Sequence, residues 1–408
     1  MSRPATGAIV TVGTELVRGL SIDTNTAEIA HALLSAGIDV RETASVADDT
    51  SVLASILRRL TASCDLVVVT GGLGPTHDDV TRHAAAEALG IGMSRDDALV
   101  RDLRHAAARH SEPRAAEQVY RQADVLDGAR VVPALIGTAP GQVVPTPRGS
   151  LVLLPGPPRE MRPLLAGLLG EWGSGGAAPA IVRTHGLSES EVQIAAQDVI
   201  AGRIDIELTV LAKPGDVQAV LFDRGAGADG LTAAAEAVAK SIGDSVYSID
   251  GASMAETVLR LARERNATIA TAESCTGGMV GAALTAIPGS SDSYVGGAIA
   301  YSNSAKSILL GVDPGLIASI GAVSDGVAMA MAAGARDHLG ADFAVSVTGV
   351  AGPGGGSEDR PVGMVWFAVA SPSGCSATLK RFPGGRDTVR ARATMTALDL
   401  LRRALIEG

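Results

Sequence analysis

The chain has 408 residues, of which 46% are hydrophobic and 19% charged, and its net charge is −10. This length predicts two to four domains with ample core, and the acidic balance disfavours a protein that binds nucleic-acid backbones. The three widely separated cysteines disfavour a disulfide framework and fit a reducing cytoplasm. Because neither a signal-peptide pattern nor a membrane-length apolar run is evident, we expect a cytoplasmic location.

The N-terminal part alternates short apolar strands with amphipathic helices. Strands are predicted at 7–12, 39–46 and 65–70, and helices at 26–36 and 52–60. The third strand is apolar throughout, which is typical of a strand buried on both faces. This β-α-β-α-β rhythm predicts a doubly wound parallel sheet, which binds its ligands at the carboxyl ends of the strands.

The loop after the third predicted strand, residues 71–81, has the composition of an anion site. Its three glycines let backbone N–H groups approach a phosphate closely, and Asp78 and Asp79 offer hard oxygen ligands for a divalent cation. A glycine-rich turn followed by an acid-capped helix explains the same residues without a ligand. Polar loops at 13–15 and 23–25 favour a site that cleaves a phosphoanhydride through a metal.

A last buried strand at 151–154 ends in a proline-rich turn, in which Arg159 either clamps a phosphate or faces solvent. This turn and the three loops before it resemble the molybdopterin-binding-like domain of the CinA family. That domain has the three-layer fold of molybdenum-cofactor biosynthesis proteins and is associated with metal-dependent ADP-ribose pyrophosphatase activity. The resemblance therefore implies ADP-ribose as a ligand and a divalent cation as a cofactor.

The same resemblance implies a role for each matching residue. It implies that Gly72, Gly74 and Thr76 form a phosphate cradle and that Glu15 and Asn25 line a nucleotide pocket. It also implies that Asp78 and Asp79 are metal or catalytic carboxylates. A pterin ligand on the same scaffold is the alternative, because a fold does not fix its function.

After a glycine-rich linker at 173–179, the sequence predicts a small α+β domain. A capping pattern begins a helix at 188, and paired strands are predicted at 208–211 and 217–222. This segment resembles the KH-type middle domain of CinA proteins. Because RNA binding by such a domain needs a basic Gly-x-x-Gly loop, which the sequence lacks, we expect a spacer or dimer element and a homodimer.

In the C-terminal part, residues 272–278 lie between a β-prone run and the start of a buried helix. A serine at such a turn, Ser274, has an exposed hydroxyl beside free backbone N–H groups, which suits a nucleophile next to an oxyanion site. The alternative is that Ser274 or Thr276 only caps the next helix. Cys275 is a rival nucleophile, although a cysteine at this position is more often a small core residue.

A serine nucleophile needs a base. His338, the one histidine of this part, is predicted at a helix end, so a Ser-His-Asp arrangement is poorly supported. Lys306 follows a predicted strand end that also carries Tyr301, and burial would lower the pKa of such a lysine enough for a Ser-Tyr-Lys relay. A solvated lysine at a helix start is the alternative.

The motifs at 272–278, 301–306, 321–324 and 348–353 closely resemble the C-terminal domain of the CinA family, known as nicotinamide-nucleotide (NMN) amidohydrolase. The likeness covers 255–408. It implies Ser274 as nucleophile and Tyr301 and Lys306 as its proton-handling partners, without a cofactor. The residues that it implies for substrate binding are Glu273, Cys275, Thr276, Gly277, Gly278, Thr348, Gly349, Arg386 and Arg390. Either Arg386 or Arg390 would hold the substrate phosphate.

Together these patterns predict an α/β protein with three domains, at 1–172, 180–250 and 253–408. The expected function is NMN deamidation fused to an ADP-ribose pyrophosphatase-like domain, with a role in pyridine-nucleotide recycling. Its expected partners are small nucleotides, not nucleic acids or membranes. The alternatives are a molybdopterin-binding protein and a non-enzymatic partner in competence or DNA damage.

Overall fold

A computed structural model of the chain describes residues 4–109, 112–172 and 177–408. The chain forms two compact units, Met1–Pro179 and Ala180–Gly408. Part of the predicted glycine-rich linker, 173–176, lies outside the described residues.

The first unit is built on a mixed sheet. The strands of the unit are β1 (Thr6–Val12), β2 (Asp39–Val46), β3 (Leu66–Thr70), β4 (Met93–Arg95), β5 (Asp124–Leu126), β6 (Arg130–Val132), β7 (Gly141–Pro145) and β8 (Ser150–Leu154), of which β4 and β5 pair in a small sheet of their own. The main sheet has the order β2-β1-β3-β8-β7-β6, in which the first four strands are parallel and the last two antiparallel to their neighbours. The predicted α/β sheet is confirmed, and the antiparallel edge was not predicted.

Helices cover both faces of this sheet. They are α1 (Thr14–Val17), α2 (Asn25–Ser35), α3 (Thr50–Ser63), α4 (Thr81–Leu89), α5 (Asp97–Ala107), α6 (Pro113–Val119) and α7 (Pro158–Trp172). Val10 and Val69 pack under α3 and α4, whereas Ile9 and Val68 pack under α2 and α7. Since alternate strand residues point to opposite faces, this two-sided burial explains the continuous apolar run of β3.

The carboxyl ends of β1, β3 and β8 are neighbours in the sheet. This topology brings the loops at 13–15, 71–79 and 155–158 to one edge, which is the edge where open α/β sheets bind ligands.

The second unit begins with a four-stranded antiparallel sheet. Its elements are β9 (Ala180–Thr184), α8 (Glu189–Val199), β10 (Ile206–Lys213), β11 (Asp216–Asp223), α9 (Gly227–Ile242) and β12 (Val246–Ser248), with the strand order β10-β11-β9-β12. Ser188 and Glu191 form the capping box that begins α8, as the sequence predicted. The predicted paired strands are also present, as β10 and β11.

A five-stranded sheet carries the rest of the second unit. Its strands are β13 (Ile269–Glu273), β14 (Tyr294–Ile299), β15 (Phe343–Gly349), β16 (Met364–Ser371) and β17 (Gly374–Arg381), in the order β14-β13-β15-β16-β17. Its helices are α10 (Met254–Glu264), α11 (Met279–Thr285), α12 (Asn303–Leu310), α13 (Pro314–Ile320), α14 (Asp325–Leu339) and α15 (Arg386–Glu407). β14, β13 and β15 are parallel, and the last two strands are antiparallel.

The core of this second sheet also has two sides. Ile269 packs with α10, α11 and α15, whereas Ala270 and Ala272 pack with α12, α13 and α14. β13 is buried along its whole length between two parallel neighbours. The residues that follow Glu273 therefore start from a rigid strand end.

Candidate functional sites

Ser274 is the first residue after β13 and is 8% exposed. Its N–H donates to the Val347 carbonyl at 2.9 Å, which ties the turn to the end of β15. Gly277 and Gly278 follow with φ values of 61° and 94°, a left-handed conformation that favours glycine. The predicted turn between strand and helix is therefore present, and it fixes the serine backbone.

Lys306 lies against the hydroxyl of Ser274, with 3.0 Å between Nζ and Oγ. Its side chain is 1% exposed, and Nζ also lies 2.9 Å from the Ala300 carbonyl oxygen and 3.4 Å from that of Tyr301. Burial lowers the pKa of Lys306. A neutral amine has two N–H bonds for the two carbonyls and a lone pair that accepts the serine proton, so the geometry suits a general base.

Two backbone N–H groups next to Ser274 are free to stabilise a negative charge. Within the loop, the Gly277 N–H donates to the Ser274 carbonyl and the Gly278 N–H to Glu273. The N–H groups of Cys275 and Thr276 have no acceptor in the described part of the chain. An oxyanion site needs two such donors beside the nucleophile.

Glu273, which the family resemblance assigned to substrate binding, has a different role in the structure. Its buried carboxylate accepts hydrogen bonds from the N–H groups of Gly278, Val280 and Gly281, at 2.8 to 3.1 Å. It thus occupies the N-terminus of α11, where backbone N–H groups favour an anion. We reassign Glu273 to support of the loop.

The Cys275 side chain is buried in the core between α10, α11 and α15. Burial raises the pKa of this thiol to about 11, so the reactive thiolate is scarce at neutral pH. This disfavours Cys275 as the nucleophile and leaves its backbone N–H as its contribution to the site.

The Tyr301 side chain is 60% exposed, and its hydroxyl accepts a hydrogen bond from Arg386 Nη2 at 3.2 Å. In the described structure no hydrogen bond joins this hydroxyl to Ser274 or Lys306. The contact between Lys306 and Tyr301 is to the backbone carbonyl of Tyr301, not to its phenol. The predicted proton relay through the phenol therefore has no direct contact to support it.

Two predicted substrate-binding residues, Thr348 and Gly349, end β15 and contact other parts of the protein. The buried Thr348 hydroxyl donates to the Ala322 carbonyl at 2.8 Å, joining two of the motifs. A side chain on Gly349 would come within 2.6 Å of the Met364 carbonyl oxygen, so this glycine allows close packing of β16.

The two candidate arginines lie one helical turn apart at the start of α15. Arg386 is exposed and donates through Nη1 to the Gly352 carbonyl at 2.9 Å. Arg390 is half-buried and donates to the carbonyls of Cys275 and Thr276. Arg386 is thus the more accessible of the two.

In the first unit, the loops at the strand ends surround a cavity of about 590 Å³. Among the predicted residues, those that line it are Glu15, Asn25, Gly72, Gly74, Asp78 and Asp79. Thr76 lies on the same loop but is exposed and outside the lining. Arg159, with 79% of its side chain exposed, is also outside the lining and contacts Glu160 at 3.8 Å.

The wall of this cavity is acidic. Of the described residues, six carboxylates and no lysine, arginine or histidine contribute to the lining; the carboxylates are Glu15, Asp23, Asp48, Asp78, Asp79 and Glu160. An anionic ligand would therefore need a cation with it.

The two predicted metal carboxylates differ in their environment. Asp79 already accepts hydrogen bonds from the Gly74 N–H and from the N–H and hydroxyl of Thr76, at 2.6 to 2.7 Å. We therefore reassign Asp79 as an anchor of the loop. The described residues contain no group of three His, Cys, Asp or Glu side chains that could hold a metal by themselves. Asp78, which is exposed at the cavity, fits a cation shared with ligand phosphates.

Asn25 offers the cavity an unused acceptor. Its Nδ2 donates to the Gly156 carbonyl at 2.7 Å and to the Thr70 hydroxyl at 3.1 Å. Its Oδ1 is buried without a hydrogen-bond partner. A buried acceptor of this kind is costly unless a ligand hydroxyl or amino group donates to it.

Arg82, which packs against the glycine loop, was not predicted from the sequence. This buried residue donates to the carbonyls of Leu73 and Gly74 at 2.8 and 2.9 Å, and burial lowers its pKa. The sequence does hint at a role for Arg82, which lies in the first turn of α4. A cation at that position opposes the helix dipole, so a specific contact is expected to hold it there.

The fold and the sites define an α/β protein with two separate candidate sites, an acidic glycine-lined cavity and a buried serine–lysine pair. Two family models match it: "CinA C-terminal domain" at residues 251–405 and "Probable molybdopterin binding domain" at residues 8–171. A CinA-like protein of Acidobacterium capsulatum is 39% identical, over 98% of this chain and 99% of its own length. One of Geobacter metallireducens is 40% identical over the same shares. The chain belongs to the CinA family, as the motifs predicted.

Solved structures are similar to parts of the chain. The competence/damage inducible protein CihA of Agrobacterium tumefaciens is 41% identical and covers 38% of this chain and 93% of its own, with a TM-score of 0.37. The molybdopterin biosynthesis enzyme MoaB of Thermus thermophilus is 22% identical and covers 40% of this chain and 89% of its own, with a TM-score of 0.28. In the described residues we find no helix with the length and hydropathy required to cross a membrane.

Proposed function

We propose that the second unit hydrolyses the carboxamide of NMN to nicotinate mononucleotide and ammonia. The observation that carries this proposal is the contact of 3.0 Å between Lys306 Nζ and Ser274 Oγ in a buried setting. Membership of the CinA family supports it, because residues 251–405 match the CinA C-terminal domain, and the motifs around these residues resemble the domain known as NMN amidohydrolase.

In the first step, Ser274 Oγ attacks the carboxamide carbon while Lys306 Nζ takes the hydroxyl proton. The carbonyl oxygen becomes an oxyanion, which the N–H groups of Cys275 and Thr276 stabilise. When the tetrahedral intermediate collapses, the C–N bond breaks, and the protonated Lys306 gives its proton to the leaving nitrogen. Ammonia leaves, and the acyl group stays on the serine oxygen.

In the second step, water attacks the acyl carbon and Lys306 takes one of its protons. The bond from the carbon to Ser274 Oγ then breaks, and the proton returns to the serine oxygen. The products are the free acid and the original Ser274–Lys306 pair, so the chain is unchanged after each cycle.

Arg386 is the candidate for binding the substrate phosphate. It is exposed, and the carbonyl of Gly352 and the hydroxyl of Tyr301 hold its two terminal nitrogens in place. A guanidinium held in this way can bind a phosphate through charge-assisted hydrogen bonds. The contact also gives the exposed phenol of Tyr301 a role in orienting this arginine.

The test measures ammonia released from NMN by the whole chain and by two variants. Ser274→Ala should abolish release. Cys275→Ala should remain active, since it keeps the backbone N–H and loses only a buried thiol. Ammonia release by Ser274→Ala together with inactivity of Cys275→Ala would move the nucleophile to the cysteine and overturn the proposal.

For the first unit we propose cation-dependent cleavage of ADP-ribose to AMP and ribose 5-phosphate. The acidic cavity with its glycine loop, and the unused acceptor of Asn25, support a phosphate-bearing ligand that also carries hydroxyl or amino donors. Asp78 would hold the cation together with the ligand phosphates, and a cation there neutralises charge on the oxygens of the bond that breaks.

A pterin is the alternative ligand of the first unit. Calorimetric titrations of ADP-ribose with and without Mg²⁺, and of a pterin, separate the two ligands. Binding of the pterin alone would overturn the pyrophosphatase proposal. Conversely, AMP formation from ADP-ribose that requires Mg²⁺ and is lost in Asp78→Ala would support it.

We also propose that the protein acts in the cytoplasm as a homodimer that recycles pyridine nucleotides. The sparse cysteines and the family resemblance support this, and light scattering of the purified chain measures the dimer. A partner role in DNA uptake or repair is the competing proposal, which the net charge of −10 disfavours. A DNA-binding titration at several salt concentrations tests it.

A further inference from the structure

We propose that Arg390 is a positioning residue that fixes the oxyanion donors, and that it does not bind the substrate phosphate. The inference rests on the proposed amidase function of the second unit. It assigns to Arg390 a role in kcat, through the backbone of the nucleophile loop, and leaves the phosphate to Arg386.

The guanidinium of Arg390 is already committed to the loop. Nε donates to the Cys275 carbonyl at 3.1 Å, and Nη2 donates to the Thr276 carbonyl at 2.9 Å. These carbonyls belong to consecutive residues, so one planar group holds two successive peptide units.

The platform that carries Arg390 is rigid. The neighbouring positions on α15, Val389 and Ala393, are fully buried in the core shared with Cys275. Packing therefore fixes the position of the guanidinium. A side chain that holds a loop in one orientation needs such a fixed position.

Holding a carbonyl also orients an N–H group. A trans peptide unit is planar, and its C=O and N–H point in opposite directions. The Cys275 carbonyl and the Thr276 N–H share one unit, so the contact with Arg390 turns the Thr276 N–H away from the arginine. The Ser274 carbonyl and the Cys275 N–H share the preceding unit, which the Gly277 N–H fixes at 3.1 Å.

The loop therefore presents two donors whose carbonyl ends are both fixed. Of the two fixing contacts, the one from Gly277 is part of the turn itself, whereas the one from Arg390 comes from a distant helix. Without Arg390, the Cys275 carbonyl has no hydrogen-bond donor in the described part of the chain, so the peptide unit between Cys275 and Thr276 loses the contact that orients it.

The experiment compares Arg390→Ala and Arg390→Lys with Arg392→Ala. Arg392 lies on the same helix and contacts a single carbonyl, that of Pro383, at 3.4 Å, which makes it a matched control for damage to α15. Each variant is tested for ammonia release from NMN, for thermal unfolding, and for the rate at which a fluorophosphonate probe labels Ser274.

We expect Arg390→Ala to lower kcat on the order of 10²-fold, as loss of an oxyanion donor does, with KM nearly unchanged. Arg390→Lys should recover part of kcat, because a lysine can reach one of the two carbonyls. Arg392→Ala should match the wild type. A raised KM with unchanged kcat in Arg390→Ala would overturn the proposal, since that pattern belongs to a phosphate-binding residue.

The probe separates this inference from the amidase proposal. A fluorophosphonate reacts with an activated serine and places its own oxygen at the oxyanion donors, whatever the natural substrate. Labelling of the wild type without ammonia release from NMN would reject the substrate but leave Arg390 testable by its labelling rate. Equal labelling of wild type and Arg390→Ala would reject the positioning role. If Arg390→Ala fails to fold, Arg390→Lys decides through the same comparison.

Discussion

The candidate amidase site buries the amine of Lys306. This lysine is among the largest side chains that are fully buried, and within the described residues no carboxylate forms a salt bridge with it. Burial of a cation without a counter-ion destabilises the folded state and lowers the pKa of the amine. The same burial that costs stability favours the neutral amine, which is the form that acts as a general base.

Replacing the amine should therefore lower the activity and raise the stability of the folded chain. Lys306→Met fills a similar volume without a charge, so we expect loss of ammonia release and a higher free energy of unfolding at neutral pH. Lys380→Met is the matched control, because Lys380 is exposed on β17 and should change neither property. Urea unfolding and the ammonia assay measure both; a loss of stability in Lys306→Met would contradict the argument.

The pH dependence of stability has a definite sign. The pKa of Lys306 is lower in the folded chain than its ordinary value of 10.5, so the unfolded chain binds more protons between these two pKa values. The wild type should therefore gain stability relative to Lys306→Met as the pH rises through that window. Urea unfolding of both proteins at a series of pH values measures the difference, which should be largest at low pH. A constant difference would show that the lysine keeps its ordinary pKa.

The sequence predicted those residues whose role depends on their own side chain, such as a nucleophilic hydroxyl or a basic amine. Ser274 follows a β-prone run, and Lys306 remained as a base because histidine was missing from the loops. The roles of Glu273, Asp79 and Arg390 were not predictable, since each depends on the direction of backbone N–H or carbonyl groups in a folded loop. Those directions follow from tertiary packing, which no local pattern encodes.

At the scale of elements, the two candidate sites share one construction. Each is a glycine-containing loop at the carboxyl end of a buried parallel strand, β3 or β13. In each loop a carboxylate accepts backbone N–H groups, and an arginine from a helix donates to two successive carbonyls, Arg82 in the first unit and Arg390 in the second. In the second loop, the N–H groups of Cys275 and Thr276 have no acceptor among the described residues and can bind a ligand.

This construction predicts different effects for the two neighbouring aspartates. Asp79→Asn removes an anionic acceptor of three hydrogen bonds and should destabilise the first unit by about 1–3 kcal/mol. Asp78→Asn should cost less stability, because Asp78 is exposed, and should chiefly weaken cation-dependent ligand binding. Thermal unfolding and ADP-ribose titration measure the two effects. Equal stability of both variants would return Asp79 to the role of a metal ligand.

The sequence predicted the parallel strands of each sheet better than the antiparallel strand at its far edge. β1, β3 and β13 are apolar runs that end in glycine-rich loops, and each was predicted within a few residues. β6 and β17 were not predicted, because an edge strand is paired on one side only and its residues are partly polar. Neither of these strands contributes to a candidate site.

At the scale of the whole molecule, the small four-stranded sheet belongs with the C-terminal domain. Both lie in the unit Ala180–Gly408. Tyr247, which precedes the C-terminal domain, is buried in the same core as α10 and α15. His185 bridges the Gly215 carbonyl at 2.7 Å and the Thr396 hydroxyl at 3.3 Å. The middle segment is therefore packed against α15, the helix that carries Arg386 and Arg390.

Two fragments test whether this packing matters for the amidase site. The fragment 180–408 keeps the complete unit, and we expect it to release ammonia from NMN as the full chain does. The fragment 255–408 loses Tyr247, β12 and the contacts of His185, so apolar surface of α10 and α15 becomes exposed. Each kcal/mol of lost packing lowers the melting temperature by about 2–8 °C, depending on domain size. We therefore expect the shorter fragment to melt lower and to lose activity at a lower temperature. Equal melting temperatures and equal activity of the two fragments would show that the four-stranded sheet is only a spacer.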